Sequence, residues 1–195
     1  AKKVKIFVDT AVLDEIEDAY EAGIADGVTT NPSLMKEAIE ELEEKGAKIT
    51  LDSYIKKILR IARGTPVSLE VTAFDYAGMV EQGKRIFKKY NSVAGNVYVK
   101  IPVNPSFIKD SDEIFDGIRA IRELTKSRIP VNCTLIFTPE QALFAAKAGA
   151  KFVSPFEGRE EDYIRKKFRL RFKKTDYYPM EGKKRRRKSL DDRGI

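Results

Sequence analysis

Six short runs of β-branched and apolar residues recur along the first 156 residues, and longer amphipathic segments separate them. The six runs are Lys5–Asp9, Gly27–Asn31, Val67–Val71, Val97–Pro102, Val131–Phe137 and Phe152–Phe156. The segments between them carry helix signals, such as Thr138 followed by Pro139, or apolar residues at helical spacing in Leu51–Arg63. Strands that alternate with helices in this way predict a parallel α/β fold.

The absence of two nucleotide-binding motifs narrows the architecture. Neither GxGxxG nor GxxxxGK[ST] follows any of the runs. We therefore expect a (β/α)8 TIM barrel, with a doubly wound sheet as the alternative. Six strand signals are present where such a barrel has eight, so the expected barrel is incomplete at its C-terminal end. Residues 1–163 form the predicted barrel body, and residues 164–195 form a basic tail or an insertion.

Composition excludes several kinds of chemistry. The chain has no histidine, so it has no Ser-His-Asp relay, no imidazole acid or base and no His-bound zinc. Its single cysteine, Cys133, cannot form an internal disulfide or a thiolate metal cage, and fits a reducing compartment. No apolar run is long enough to span a bilayer, and the apolar stretch near the start of the sequence is too short for a signal peptide. We expect a cytoplasmic protein with no membrane partner.

The net charge of +7 belongs to the C-terminal part of the chain. Residues 1–156 carry 22 basic and 22 acidic residues, whereas residues 157–195 carry 15 basic and 8 acidic ones, most densely at Lys183–Lys188. Basic residues interleaved with aromatic ones leave nucleic-acid binding as an alternative function. Most runs of charge are solvated surface, so we expect no nucleic-acid partner.

Alternate residues of each run point to opposite faces of the predicted sheet. One phase is almost wholly apolar, as with Val131, Cys133 and Leu135 in the fifth run, and suits a face covered by helices. The other phase collects Asp9, Thr29, Asn31, Ser68, Glu70, Lys100, Asn132, Thr134 and Ser154, together with Phe7, Tyr98, Phe152 and Phe156. In a barrel this second face is the interior, and active sites lie at its C-terminal mouth.

Lys100 is the most unusual of these residues, because it faces inward from the middle of an apolar strand. Burying an ammonium group is costly unless the charge is paired or neutralised. One interpretation is a structural ion pair with Asp9 or Glu70. The other, which we favour, is a desolvated amine that attacks a carbonyl group. A single polar residue near a strand end, such as Thr30 or Ser68, is more often a cap or a turn former.

The motifs KIFVDTA, DGVTTNPSL, VSLEV, VKIP, VNCTLIFTPEQALFAAKAGA and FVSPFEGR together resemble the transaldolase family, in particular its short microbial branch related to fructose-6-phosphate aldolase. The resemblance covers about residues 4–163. It implies a class I barrel enzyme that moves a dihydroxyacetone unit from a ketose phosphate to an aldose phosphate through a lysine Schiff base, without a metal or cofactor. The implied partners are sugar phosphate substrates and, in the complete protein, further copies of the same chain.

The resemblance also implies a role for each residue of the site. Lys100 is the Schiff-base lysine, and Asp9 exchanges a proton with the C4 hydroxyl during carbon–carbon cleavage. Glu70 and Thr134 hold the water that carries protons to the carbinolamine. The implied substrate-binding residues are Thr29, Asn31, Asn132, Ser154, Phe156 and Arg159. Of these, the two asparagines bind the dihydroxyacetone hydroxyls, while the serine and the arginine bind the phosphate.

Two positions favour a transaldolase over the alternative, a free fructose-6-phosphate aldolase. The aldolase branch tends to carry glutamine where Glu70 stands and tyrosine where Phe156 stands. After Tyr163 the sequence departs from the family, whose two further strands and second phosphate-binding arginine have no counterpart here. Because two sheet edges then stay open, we expect this chain alone to be inactive or prone to aggregation. A non-catalytic barrel fragment is the remaining alternative.

Overall fold

A computed structural model describes residues 4–104 and 115–169 of the 195-residue chain. The elements follow in the order β1 (Phe7–Asp9), α1 (Leu13–Glu21), β2 (Gly27–Thr29), α2 (Pro32–Glu44), α3 (Leu51–Ile61), β3 (Val67–Glu70), α4 (Tyr76–Ala94), β4 (Val97–Pro102), α5 (Asp116–Lys126), β5 (Val131–Ile136), α6 (Pro139–Ala148), β6 (Phe152–Pro155) and α7 (Glu157–Lys167). The chain divides into two compact units, residues 1–156 and 157–195. All six of these strands lie in the first unit, and α7 lies in the second.

The six strands form one parallel sheet, in which each strand pairs with the next along the chain. The rings of Phe7 in β1 and Phe152 in β6 lie 5.0 Å apart, so the sheet curls until its first and last described strands face each other. The ring of Tyr98, 5.4 Å from that of Phe152, occupies the same space. A doubly wound sheet reverses its strand order, which this sheet does not do. The predicted fold class, an incomplete (β/α)8 barrel, is confirmed.

The apolar phase of the strands packs against the helices, as the alternation predicts. Its fully buried members are Val28, Val67, Val97, Val99, Ile101, Val131 and Cys133. They form two hydrophobic clusters with helix residues that include Ile16, Ile58, Met79 and Leu124. Full burial of a side chain of this size contributes roughly 1.5–3 kcal/mol, so this layer is the main source of stability. Burial also raises the pKa of the Cys133 thiol to about 12.

The end of β5 departs from the predicted alternation. The pairing of β5 with β6 shifts between Cys133 and Ile136, and Leu135 has a φ of 58°. The shift puts Ile136 among the buried core residues, while Leu135 is only half-buried. The prediction that Leu135 shares the phase of Cys133 is therefore wrong, because an irregularity in a strand breaks its two-residue period.

Several predicted boundaries agree with the structure, and others differ. Strand β4 has the predicted bounds, whereas β1 begins at Phe7 rather than Lys5. Helix α6 begins as predicted, because Thr138 and Gln141 form a reciprocal capping box with Pro139 in the first turn. The predicted domain boundary between residues 163 and 164 lies inside α7. Residues 170–195 lie outside the described part of the chain, so the expectations for the basic tail remain predictions. None of the described helices has the length and apolar character needed to cross a membrane.

Helix α5 approaches the end of β4 very closely at Gly117. A Cβ atom at this position would lie 2.0 Å from the carbonyl oxygen of Pro102 and 2.5 Å from that of Val103. The neighbouring Asp116 is buried and accepts a hydrogen bond from the backbone N–H of Tyr76 at 2.9 Å, which ties α5 to the start of α4. Because Gly117 has no side chain, α5 packs directly against the end of β4, the strand that carries Lys100, and Asp116 links α5 to α4.

We predict that Gly117→Ala lowers the free energy of unfolding by about 1–3 kcal/mol, because backbone atoms of α5 and β4 must separate to admit the methyl group. Urea unfolding followed by circular dichroism measures the change. Gly158→Ala is the matched control, since a Cβ atom at that helical glycine meets nothing within 4 Å. Equal stability of the two variants would show that α5 does not depend on the close approach.

Candidate active site

Inward-facing polar side chains lie side by side on neighbouring strands. The register pairs Glu70 of β3 with Lys100 of β4, and Lys100 with Asn132 of β5. A second row consists of Asp9, Thr29 and Ser68, on β1, β2 and β3. The polar phase therefore converges on one face of the sheet, as the sequence predicts. That face carries carboxylate, amine, amide and hydroxyl groups.

The amine of Lys100 is buried between two oxygen atoms from neighbouring strands. Lys100 is 3% exposed, and the residues beside it in β4, Val99 and Ile101, are fully buried. Its Nζ atom donates a hydrogen bond to the carbonyl oxygen of Thr30 at 3.1 Å and lies 3.4 Å from Oε2 of Glu70. Of the two partners that the sequence leaves open, Glu70 is thus the one in contact. The two oxygen atoms compensate for the water that the ammonium has lost.

The carboxyl group of Glu70 is itself largely buried, with 16% of its side chain exposed. Burial raises its pKa above the ordinary value of 4.5, because it disfavours the ionised form. The positive charge of Lys100 acts in the opposite direction, and the negative charge of Asp9 adds to the rise in pKa. Glu70 therefore binds a proton more readily than a solvated glutamate. A carboxyl group with a raised pKa of this kind is suited to accepting and returning protons.

The amide of Asn132 is held by a hydroxyl group on each side. Oγ of Ser154 donates a hydrogen bond to Oδ1 of Asn132 at 3.0 Å. Nδ2 of Asn132 donates to Oγ of Ser68 at 3.1 Å. Asn132 and Ser68 are both fully buried. The hydroxyl of Ser154, a predicted phosphate ligand, is therefore engaged with another predicted site residue.

Two predicted site residues carry buried hydroxyl groups that have no hydrogen-bond partner in the described part of the chain. These are Oγ1 of Thr134 and Oγ1 of Thr29. A buried hydroxyl without a partner is unfavourable, so each of these two groups has unused hydrogen-bonding capacity on the inner face of the sheet. In residues 4–104 and 115–169, no group of three or more Cys, Asp or Glu side chains is arranged to hold a metal ion.

Four predicted site residues have other surroundings. Oδ1 of Asn31 accepts the backbone N–H of Leu34 at 3.0 Å and caps α2. The ring of Phe156 packs edge-on against that of Phe137, with centroids 5.8 Å apart. Arg159 is exposed in α7, which belongs to the second unit. Asp9 is exposed at the end of β1, and its charge reaches the site through its effect on the pKa of Glu70.

Two residues that contact the site carry weak signals in the sequence. Thr30 contacts Lys100 through its backbone carbonyl, a group that every residue possesses. Its hydroxyl donates to the carbonyl oxygen of Ser68 at 2.8 Å. Ser68 lies in the polar phase, but a lone serine on a strand is usually structural. The available signal is that Ser68 belongs to the interior phase and that Thr30 stands between two members of that phase, Thr29 and Asn31.

Known proteins resemble this chain over most of its length. A family model described as "Transaldolase/Fructose-6-phosphate aldolase" matches residues 6–185. The chain belongs to this family. The resemblance predicted from the sequence motifs is thereby confirmed.

Relatives within the transaldolase and fructose-6-phosphate aldolase family include two proteins with the same name. A protein of Nitrosopumilus maritimus, named "Probable transaldolase", is 45% identical over 82% of this chain and 61% of its own length. One of Thermoplasma acidophilum with the same name is 46% identical over 82% of this chain and 62% of its own length. The chain thus spans about three fifths of the length of the curated relatives it matches.

Solved structures with lower identity share the fold. A structure titled "QR15, an Aldolase" has a TM-score of 0.50 at 18% identity, and covers 88% of this chain and 77% of its own. The dihydropteroate synthase of Yersinia pestis has a TM-score of 0.50 at 17% identity, and covers 87% of this chain and 74% of its own. At this level of identity the likeness concerns the architecture alone.

We predict that Lys100→Met raises the pKa of Glu70 further, because the nearby positive charge is lost. A carboxyl group with a raised pKa in the folded state stabilises the fold when protonated, and this contribution disappears as the pH rises through that pKa. The variant should therefore lose stability relative to the parent as the pH rises from the raised pKa of Glu70 in the parent to its still higher pKa in the variant. Urea unfolding at several pH values, with a ¹³C titration of the Glu70 carboxyl, measures both effects.

The control for this prediction is Lys84→Met, which removes an exposed lysine 3.7 Å from Glu123. Salt bridges between exposed groups contribute little, so its stability relative to the parent should not change with pH. A Glu70 titration that is unchanged in Lys100→Met would show that the two groups do not interact.

Proposed function

We propose that this chain carries the Schiff-base site of a transaldolase, which moves a dihydroxyacetone unit from a ketose phosphate, such as sedoheptulose 7-phosphate, to an aldose phosphate, such as glyceraldehyde 3-phosphate. The observation that carries the proposal is the buried amine of Lys100 between Glu70 and the carbonyl of Thr30. The relatives named as probable transaldolases support the reaction class. Because the chain spans about three fifths of their length, the activity of the whole protein is part of the proposal.

A lysine amine suits this reaction because cleavage of the ketose needs an acceptor for an electron pair. In the proposed mechanism, Nζ of Lys100 attacks the C2 carbonyl of the ketose and forms a carbinolamine, which loses water to give a protonated imine. The C3–C4 bond then breaks, its electron pair moves into the imine to give an enamine, and the aldose leaves. The enamine attacks the aldehyde of the acceptor, and hydrolysis of the new imine releases the product ketose and the free amine.

The proton transfers are assigned to three side chains. Glu70, the nearest carboxylate to Nζ, takes a proton from the ammonium and exchanges protons with the carbinolamine through a water shared with Thr134. Asp9 takes the proton of the C4 hydroxyl as the C3–C4 bond breaks. The raised pKa of Glu70 supports its role, because a group that both accepts and returns a proton works best near its own pKa.

Substrate binding is proposed for the remaining predicted residues. Asn132 and Asn31 bind the hydroxyl groups of the dihydroxyacetone unit, and Thr29 offers an unpartnered buried hydroxyl on the same face. Ser154 is assigned to the phosphate group, and the role of Arg159, which lies in the second unit, stays a prediction from the sequence. Transfer is preferred to free aldol cleavage within this proposal because Glu70 and Phe156 stand where the free aldolase branch tends to carry glutamine and tyrosine.

We predict that sodium borohydride in the presence of dihydroxyacetone attaches one adduct to the chain, at Lys100. Reduction traps the imine, and peptide mass spectrometry locates it. Lys100→Met should abolish the adduct, whereas the control Lys84→Met, which changes an exposed lysine, should keep it. An adduct that persists in Lys100→Met, or that forms equally on surface lysines, would contradict the assignment of the nucleophile.

We predict a different outcome for Asp9→Asn. Imine trapping should proceed at the parent rate, because Asp9 acts only when the C3–C4 bond breaks. In the complete protein, release of glyceraldehyde 3-phosphate from fructose 6-phosphate should fall about 100-fold or more, the usual contribution of a general base. A coupled single-turnover assay measures the release, with Asp14→Asn as the control for loss of an exposed carboxylate. Equal release by Asp9→Asn and the parent would remove Asp9 from the mechanism.

A further inference from the structure

Ser68 takes part in hydrogen bonds next to the Lys100 site, both through its hydroxyl and through its backbone carbonyl. It is fully buried on β3, two residues before Glu70. Its hydroxyl accepts the hydrogen bond from Nδ2 of Asn132 at 3.1 Å. Strand β4 lies between β3 and β5 in the sheet, so this bond reaches across the inner face of the strand that carries Lys100. A serine with only a local capping role would bond its own turn instead.

Asn132 occupies a position where the direction of its amide matters. It is the register partner of Lys100 on β5, and both side chains face the interior. Its Oδ1 atom accepts from Ser154 at 3.0 Å, and its Nδ2 atom donates to Ser68. An amide held at both ends by hydroxyl groups presents its remaining N–H and its remaining lone pair in one fixed arrangement.

We propose that Ser68 is a positioning residue of this site, whose hydroxyl fixes the amide of Asn132 and thereby determines which of its atoms meets the dihydroxyacetone unit. The proposal rests on the proposed function for the role of Asn132. Ser68 acts through Asn132 and does not touch the reacting atoms. A free amide would bind a substrate hydroxyl in either orientation, and the ketone would then be held less consistently over Nζ.

The hydroxyl and the carbonyl of Ser68 can be separated by mutation. Its carbonyl oxygen accepts from Oγ1 of Thr30 at 2.8 Å, and the carbonyl of Thr30 in turn accepts from Lys100. Ser68→Ala leaves these backbone contacts in place and removes only the bond to Asn132. The variant therefore tests the amide without disturbing the acceptors of the lysine.

The experiment follows two signals in the full chain. The first is the ¹H–¹⁵N resonance pair of the Asn132 side-chain amide, which should exchange slowly with solvent in the parent and rapidly in Ser68→Ala. The second is the rate of borohydride trapping with dihydroxyacetone, which should fall about three- to tenfold, the change expected for loss of one hydrogen bond. Ser68→Thr, which keeps a hydroxyl group, should restore both signals.

Thr125→Val serves as the matched control. It removes a part-buried hydroxyl that donates to the carbonyls of Arg122 and Ala148 on the helix side, so it should change stability without changing either signal. The double variant Ser68→Ala/Asn132→Ala should trap dihydroxyacetone at the rate of Asn132→Ala alone, because Ser68 acts through that amide.

Each outcome bears on the proposal. Losses that multiply in the double variant, or an Asn132 amide that exchanges equally fast in Ser68→Ala and Thr125→Val, would overturn it. If the parent forms no imine, the proposed function fails, and the amide resonances decide the role of Ser68 separately. Slow exchange in the parent and fast exchange in Ser68→Ala then support the positioning role, whereas fast exchange in both overturns it.

Discussion

The burial of one ammonium group is the constraint on which the rest of the site depends. A lysine that is 3% exposed between Val99 and Ile101 of an apolar strand is stable only where oxygen atoms replace its water. Those oxygen atoms come from two other elements, the carboxylate of Glu70 on β3 and the carbonyl of Thr30 after β2. The ends of three neighbouring strands must therefore be in register before the charge is accommodated. Folding of this part of the sheet and assembly of the site are the same event.

The two faces of the sheet have different roles, because the outer face stabilises the fold and the inner face carries the polar groups of the candidate site. The outer face carries apolar side chains that the helices cover, while the inner face changes character along the barrel axis. Toward the start of the strands, Phe7, Tyr98 and Phe152 pack together in the interior. Toward the end, the interior holds Glu70, Lys100 and the Asn132 amide with its two serines. The three rings are half-buried, and together with Thr29 and Ser154 they line a cavity of about 520 Å³ in this part of the interior.

The features that depend on residue type and spacing could be predicted from the sequence. The two-residue period of the strands identified the inward lysine and its polar neighbours, and Thr138 with Pro139 marked the start of α6. The features that depend on backbone geometry could not. Leu135 leaves the expected phase at a shift in register. Thr30 contacts Lys100 through its backbone carbonyl, and this contact cannot be predicted from the type of side chain. The sequence motifs predict that Asn31 binds substrate, and the structure shows that its side chain also caps α2. The choice between Asp9 and Glu70 as the partner of Lys100 depends on the pairing register of β3 with β4, which the sequence pattern alone does not contain.

The single thiol of the chain, Cys133, is placed so that its reactivity reports local unfolding around β5. Cys133 lies between Asn132 and Thr134, but it points to the helix-covered face, where it is fully buried with a pKa of about 12. Only the thiolate reacts with electrophiles, so the folded chain protects this group both sterically and by its protonation state. Reaction therefore requires β5 to detach from the helices or from its neighbouring strands. The rate at which a thiol reagent modifies Cys133 thus measures how often β5, the strand that carries Asn132 and Thr134, separates from its neighbours. This measurement needs no label in the site itself.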